Sequence, residues 1–315
     1  MLLNFFQIFI SVSPVFILII LGNVLRRIGV LDVSFWEIND KLLYWVLIPA
    51  LLFHFTSQID ISSSIIYSYV VVIISGILIV TIITFLISKL LGYSPQIWTS
   101  MLQGTARHNA FISLAIAGSL FGDEALAIGA LFLLIYIPSA NMLIISILTA
   151  SLKSSAQTNA KGNIVNIFTE IAKNPFILAM VLGVLFSLIE SDKLIIISET
   201  TDMLGSAALP ILLLTIGAKI KVRDLTLQIM PIVISNSLKL IVLPISAFIV
   251  ASFMGLGQLE ITVAVIFASV PTAASSLSLA KQFGADSQLM TSIISTQVAM
   301  SFITIPAILT FITYL

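Results

Sequence analysis

The sequence predicts an all-α polytopic membrane protein: ten transmembrane helices, arranged as two inverted five-helix repeats with broken, crossing helices four and nine. Three observations lead there. Of the 315 residues, 59% are hydrophobic and 9% charged, and the mean hydropathy is +1.18, a composition foreign to soluble domains. The chain divides into ten apolar stretches, each close to the 20 or so residues that a bilayer crossing needs. Helix-distorting residues also recur: Pro14, Gly22 and Pro49 return as Pro175, Gly183 and Pro210, each 161 positions on, and Phe121-Gly122 returns as Phe283-Gly284 after one added residue. Five spans per copy is an odd number, so the second copy must enter the membrane from the opposite side. Secondary transporters are built this way, with the binding site at the midplane where the copies meet.

The ten spans fall at about 4–25, 36–57, 65–89, 94–121, 125–151, 174–190, 200–218, 226–253, 259–281 and 288–314. Residues 1–152 form the first repeat, 153–173 a cytosolic linker and 174–315 the second, as one integrated membrane unit. The first span has no Lys or Arg before it and Arg26-Arg27 after it, the reverse of a cleaved signal peptide. The second carries Pro49 and the third ends at Lys89. The fourth turns polar over Gln103–Asn109; the fifth carries Pro138 and Asn141. The linker is polar over Ser154–Asn159, then mildly amphipathic from Ile164 to Ile171, which reads as a surface helix. Asn174-Pro175 opens the sixth span, Pro210 lies in the seventh, Asn236 and Lys239 in the eighth, and Pro271 interrupts the ninth. Gly22, Gly183, Gly76, Gly118 and Gly129 suit close helix packing. Trp36, Trp45 and Trp98 lie near or within span starts, where interfacial anchors sit, and His54 reads as interfacial.

Orientation follows from the basic residues. With both termini outside, eleven Lys and Arg residues fall on inner loops and only Lys193 on an outer one, as the positive-inside rule requires. The expected location is a bacterial inner membrane. Arg107 and Lys239 remain, both within spans, while no Asp or Glu lies near the middle of one. An ionisable residue held inside a membrane is by default a functional one.

Composition also excludes. With no cysteine, disulfides, thiolate catalysis and Cys-ligated metals are absent. Net charge is zero and no basic cluster is dense enough to track phosphates, so nucleic acid is not a partner. No Gly-rich phosphate loop supports direct ATP drive. Two histidines 54 positions apart, without a central carboxylate, make neither a metal site nor a catalytic dyad, so the chain is not expected to be an enzyme and needs no cofactor.

The matched interruptions carry the site hypothesis. Span four reads Gln103-Gly104-Thr105-Ala106-Arg107-His108-Asn109, and span nine reads Ser269-Val270-Pro271-Thr272-Ala273-Ala274-Ser275-Ser276, with Asn109 aligned on Pro271. Proline removes a backbone donor and clashes with the preceding turn. Backbone freed at membrane depth is tolerated only where protein or a water-filled cavity satisfies it. Two kinks with packing serines are the bland alternative, and Arg107 has its own: snorkelling, or pairing with carbonyls at the break. Lys239 could likewise tie helices together through carbonyls, and His108 either packs as a neutral ring or carries a coupling proton.

Arg107-His108-Asn109, Pro271-Thr272-Ala273, Ala280-Lys281, Phe283-Gly284 and Asp286, together with Pro49 and Asn174-Pro175, resemble in order and spacing the paired signatures of the auxin efflux carrier family, the bacterial relatives of plant PIN proteins. The resemblance spans nearly the whole chain. It implies the fold of bile-acid sodium symporters: a panel domain, and a transport domain whose broken helices cross at the substrate. It also implies an organic anion such as malate, malonate or an auxin-like acid, with Asn109 and Pro271 as the crossover asparagine and proline. The chain departs from many members in placing His108 beside Asn109, and it lacks the long central loop of the long plant proteins.

The substrate-binding candidates are thus Arg107, His108, Asn109, Pro271, Thr272, Ser275, Ser276, Asn141 and Lys239. The expected function is a secondary transporter moving a small organic anion by alternating access. An anion-binding membrane sensor acting with a partner protein is the alternative. The lipid bilayer surrounds the chain, and a homodimer is the assembly to consider. The coupling ion is left open between sodium, held by hydroxyls, Asn side chains and carbonyls, and a proton; uniport is the third option.

Overall fold

The computed structural model describes residues 4–58, 63–152, 173–188, 195–220 and 228–314. The linker expected at 153–173 lies outside these apart from Lys173. All regular structure among the described residues is helical: α1 Phe5–Arg27, α2 Val33–Ser57, α3 Ser63–Leu90, α4 Pro95–Ala106, α5 Ala110–Ser151, α6 Pro175–Ser187, α7 Ile195–Lys219, α8 Ile229–Phe253, α9 Gln258–Ser269, α10 Ser275–Phe283 and α11 Ser287–Thr313.

Among the described residues, seven stretches are long and apolar enough to cross a membrane, one of them the broken run Pro95–Ser151. The expected sixth and ninth spans are represented by α6 and α9, of 13 and 12 residues, which are too short to qualify alone. Spans four and five are not separated by a loop. The chain turns within α5 at Gly122, whose φ of 70° and ψ of −153° are open to glycine and strained for other residues.

Helix starts follow local chemistry. Asn4 and Gln7 form a reciprocal capping box at α1, and Ser94, Asn174 and Asp286 cap α4, α6 and α11 with their side chains. Prolines follow the caps of α4 and α6, where their missing N–H costs nothing. α2 and α8 each contain one wide π turn, Leu43–Leu47 and Leu238–Val242, just before a proline.

The helices pack in two groups. α1, α2, α6 and α7 lie chiefly against one another; α3, α4, α8, α9, α10 and α11 form the second group, with α5 touching both. Bare backbone holds the first group together. A Cβ on Gly22 would overlap the Leu214 carbonyl, and one on Gly217 the Ile19 carbonyl, so α1 and α7 run antiparallel with their backbones in contact. A Cβ on Gly183 would meet Thr56 Oγ1 and the Phe53 carbonyl of α2. Gly22 and Gly183 stand 161 positions apart, and so do Phe53 and Leu214, so one contact occurs in both halves. The expected close packing of Gly22 and Gly183 is therefore observed. Gly76 is roomier, facing only Leu243 Cδ1 at 3.2 Å.

The other sequence markers divide. Trp36 is buried, whereas Trp45 is exposed on the apolar surface. His54 is buried against neighbouring helices, with Nε2 3.0 Å from Gln58 Nε2 and 3.5 Å from Asp202 Oδ1.

Gly217→Ala should lower stability by about 1–3 kcal/mol, because the new methyl has no room between two backbones. Gly76→Ala should be close to neutral, since a flexible leucine terminus yields and alanine favours the helix. Thermal unfolding of the purified variants in detergent checks both; equal melting temperatures would mean that α1 and α7 are not in backbone contact.

Candidate functional site

α4 ends at Ala106 and α5 begins at Ala110; α9 ends at Ser269 and α10 begins at Ser275. Arg107, Asn109 and Val270 are extended, so both expected interruptions are real breaks. They meet: the Asn109 N–H donates to the Pro271 carbonyl at 2.8 Å.

Groups freed by the breaks find partners in two side chains that sequence reading did not select. The Tyr136 hydroxyl on α5 donates to Ala106 O at 2.7 Å and accepts from His108 N at 3.1 Å. Gln297 on α11 accepts from Thr272 N at 2.8 Å and donates Nε2 to Gly104 O at 2.9 Å. Thr272 Oγ1 adds a bond to Gln103 O at 3.0 Å. A tyrosine hydroxyl and a glutamine amide both donate and accept, which lets each bridge two backbone groups of opposite kind.

Asn109 spends its side-chain oxygen locally. Oδ1 caps α5, accepting from Phe111 N at 3.2 Å and Ile112 N at 3.3 Å. What Asn109 can offer a ligand is thus its amide NH2, because the acceptor is committed to the helix start.

Arg107 reaches away from the backbone. Its guanidinium donates to Asn141 Oδ1 at 3.3 Å and Ser275 Oγ at 3.1 Å, joining α5 to the start of α10. Neither ion pair among the described residues includes it. Pairing with carbonyls at the break, the bland alternative, is not what these bonds show.

Two cavities flank the crossing. The larger, about 610 Å³, is lined by Arg107, His108, Asn109, Asn141 and Ser275, with Tyr44, Trp45 and Phe111 supplying aromatic walls. The smaller, about 490 Å³, is lined by Asn109, Thr272 and Ser275 and by Arg26 and Glu37. Asp40 and Lys219 border both. Such a volume suits a small molecule, with a few polar groups among apolar walls.

The remaining candidates sit elsewhere. Pro271 and Ser276 line neither cavity, and Ser276 is fully buried beside Thr272 Oγ1, 3.4 Å away. Lys239 is fully buried in the π turn of α8, lines neither cavity, and its Nζ has no hydrogen-bond partner among the described residues. Its place in the sequence gave its depth but not its facing, and α8 turns it into the protein. His108 stacks on Tyr136 with ring centroids 3.5 Å apart and stands edge-on to Phe267 at 5.6 Å, an aromatic packing position at the cavity wall.

Replacing Tyr136 by Phe keeps the stack on His108 but orphans Ala106 O and His108 N; Gln297→Leu orphans Thr272 N and Gly104 O. Each should cost about 1–3 kcal/mol of stability, as buried polar groups left unpaired do. Thermal unfolding measures it, and melting temperatures equal to wild type would remove these side chains as clamps of the break.

Comparison with known proteins agrees with this architecture. Residues 7–309 match the family described as membrane transport protein. An uncharacterized transporter of Methanothermobacter thermautotrophicus is 25% identical over 299 residues, covering 94% of this chain and 95% of its own. One of Methanocaldococcus jannaschii is also 25% identical, over 88% of this chain and 90% of its own. With a match over all but the ends of the chain, and the paired motifs at its two breaks, the protein belongs to the membrane transport protein family, the auxin efflux carriers that its sequence resembles.

Proposed function

We propose that this membrane transporter is a secondary carrier of a small organic anion, a carboxylate such as malate, malonate or an auxin-like acid, working by alternating access. One observation carries the reading: Arg107 lies at the broken crossing, beside a small-molecule-sized cavity, with only neutral side-chain partners. Asn141 and Ser275 orient the guanidinium and offer it no charge. A carboxylate entering the cavity supplies that charge, in the planar two-point geometry that arginine matches and lysine does not. The Asn109 amide is a second donor at the same wall.

The repeat supports the wider architecture. Glycine seams and broken helices recur at matched positions in the two halves, as expected of ten spans in two inverted repeats, 1–152 and 174–315. In the proposed orientation both termini and the turn at Gly122, with Asp123 and Glu124 after it, face outside, in a cytoplasmic (inner) membrane. Arg26, Lys41 and Lys219 then mark the mouth of the cavities as the inner side. Sodium or a proton is the proposed coupling ion.

Purified protein should melt higher in the presence of at least one of malonate, malate, succinate and indole-3-acetate. Arg107→Lys should weaken binding of the best of these and Arg107→Gln weaken it further, by about 2 kcal/mol or more. An unchanged ligand-induced melting shift in Arg107→Gln would reject Arg107 as the counter-charge. Uptake of the same labelled acids into proteoliposomes, with sodium, proton and voltage gradients imposed singly, identifies the coupling. Orientation has its own test in this cysteine-free chain: a cysteine at position 157 should resist a membrane-impermeant maleimide in intact spheroplasts and react after lysis.

A further inference from the structure

One ion pair stands on the border of both cavities. Lys219 Nζ lies 2.6 Å from Asp40 Oδ2, and Asn109 and Ser275 face the same two spaces from the broken helices. The base of Lys219 is fixed. Asn23 Nδ2 donates to Gly217 O at 3.0 Å and Ile220 O at 2.9 Å, Arg26 Nη1 donates to Ala218 O, and Gly217 is pressed against the Ile19 carbonyl. The end of α7 is thereby locked to α1, and the side chain alone is free to choose a partner.

Its present partner is informative. The Asp40 carboxylate offers the ammonium the same group that a carboxylate ligand would offer. The two side chains are 48% and 35% exposed, and ion pairs so open to solvent contribute little to stability because water and salt compete for both charges. Exchanging one carboxylate for another at Lys219 is therefore close to balanced. Arg26, the other cation on the wall of the smaller cavity, is committed to the Ala218 carbonyl.

We propose that Lys219 is a second carboxylate-binding residue of the transport site, masked in the empty protein by Asp40, whose carboxylate competes with the ligand for it. The proposal rests on the anion reading above. It assigns opposite roles to two residues in contact, and this sets it apart from a latch between α2 and α7. Neutralising Asp40 unmasks the ammonium and raises affinity; neutralising Lys219 removes a ligand contact, leaves Asp40 to repel the anion and lowers affinity.

The test uses the full-length protein in detergent and the best-bound acid among malonate, malate, succinate and indole-3-acetate. Asp40→Asn should tighten its binding about threefold or more, and Lys219→Gln should weaken it about tenfold, the worth of one charge-assisted contact. Lys219→Arg should stay within about threefold of wild type, since the charge is kept. The double variant Asp40→Asn with Lys219→Gln should bind more weakly than wild type but more tightly than Lys219→Gln alone. A latch would instead lower the ligand-free melting temperature of both single variants and move their affinities in the same direction; that result, or unchanged affinity in Lys219→Gln, overturns the proposal. If Arg107→Gln abolishes the ligand-induced shift while Lys219→Gln retains it in full, only the present inference falls. If none of the four acids shifts the wild-type protein, the anion reading falls, and the role of Lys219 with it.

Discussion

A helix broken inside an apolar protein leaves backbone donors and acceptors that no solvent can reach, and each costs free energy until it is paired. The arrangement around the crossing answers this constraint. Arg107 keeps its N–H on Gln103 O, but His108 and Asn109 leave the helical ladder, as do Val270 to Ala274, and the chain closes the gaps with one backbone–backbone bond between the breaks and two side chains that donate and accept at once. The Tyr136 bridge stays within the first half of the chain. Gln297 spans the halves, holding Thr272 N and Gly104 O together, so neither break is independent of the other. Cavity walls made of broken backbone are fixed only because these partners are fixed.

With the backbone so satisfied, Arg107 is released for other work. A guanidinium near freed carbonyls would ordinarily bond to them. Here Tyr136 takes Ala106 O and Gln297 takes Gly104 O, and Arg107 is left with a serine and an asparagine side chain. Neutral side-chain partners can be given up to a ligand at less cost than backbone groups buried in the fold. In the proposed reading, the clamps are thus what frees the guanidinium for a charged ligand.

What was legible in the sequence was what local chemistry decides. The proline at 271 stands in a polar stretch that matches the one around Asn109, and asparagine at 109 suits a helix start, so the position of both breaks could be read directly. Tyr136 and Gln297 could not be read in that way. A tyrosine in an apolar run reads as core, and a glutamine in the last span carries no motif; their role exists only once α5 and α11 are brought against the breaks. Their one sequence signal is positional: they stand 161 apart, one short of the 162 that relates Asn109 to Pro271. The facing of Lys239, buried and away from both cavities, was hidden for the complementary reason. Hydropathy sets how deep a residue lies and is silent on which way its helix face turns. Span counting strained at α9 because the break at Val270 and Pro271 divides the expected ninth span between α9 and α10.

The two kinds of seam also differ in what they permit. Where Gly22 meets the Leu214 carbonyl and Gly183 meets that of Phe53, backbone lies on backbone, and sliding either pair would drive a neighbouring side chain into a carbonyl. α1, α2, α6 and α7 are therefore joined rigidly. The polar clamps join the second group just as firmly across α4, α5, α9 and α11. Between the groups the contacts are mainly of another sort: Phe302 rests against Phe9 and Phe16 with ring centroids 4.7 and 5.1 Å away, the two cavities interrupt the boundary, and one exposed hydrogen bond, Ser119 Oγ to Ser11 O at 2.6 Å, crosses it. Aromatic faces can slip without stranding a hydrogen bond. If a ligand is handed from one side of the membrane to the other, the motion with fewest bonds to break runs along this boundary, carrying Arg107 and Asn109 past the fixed end of α7.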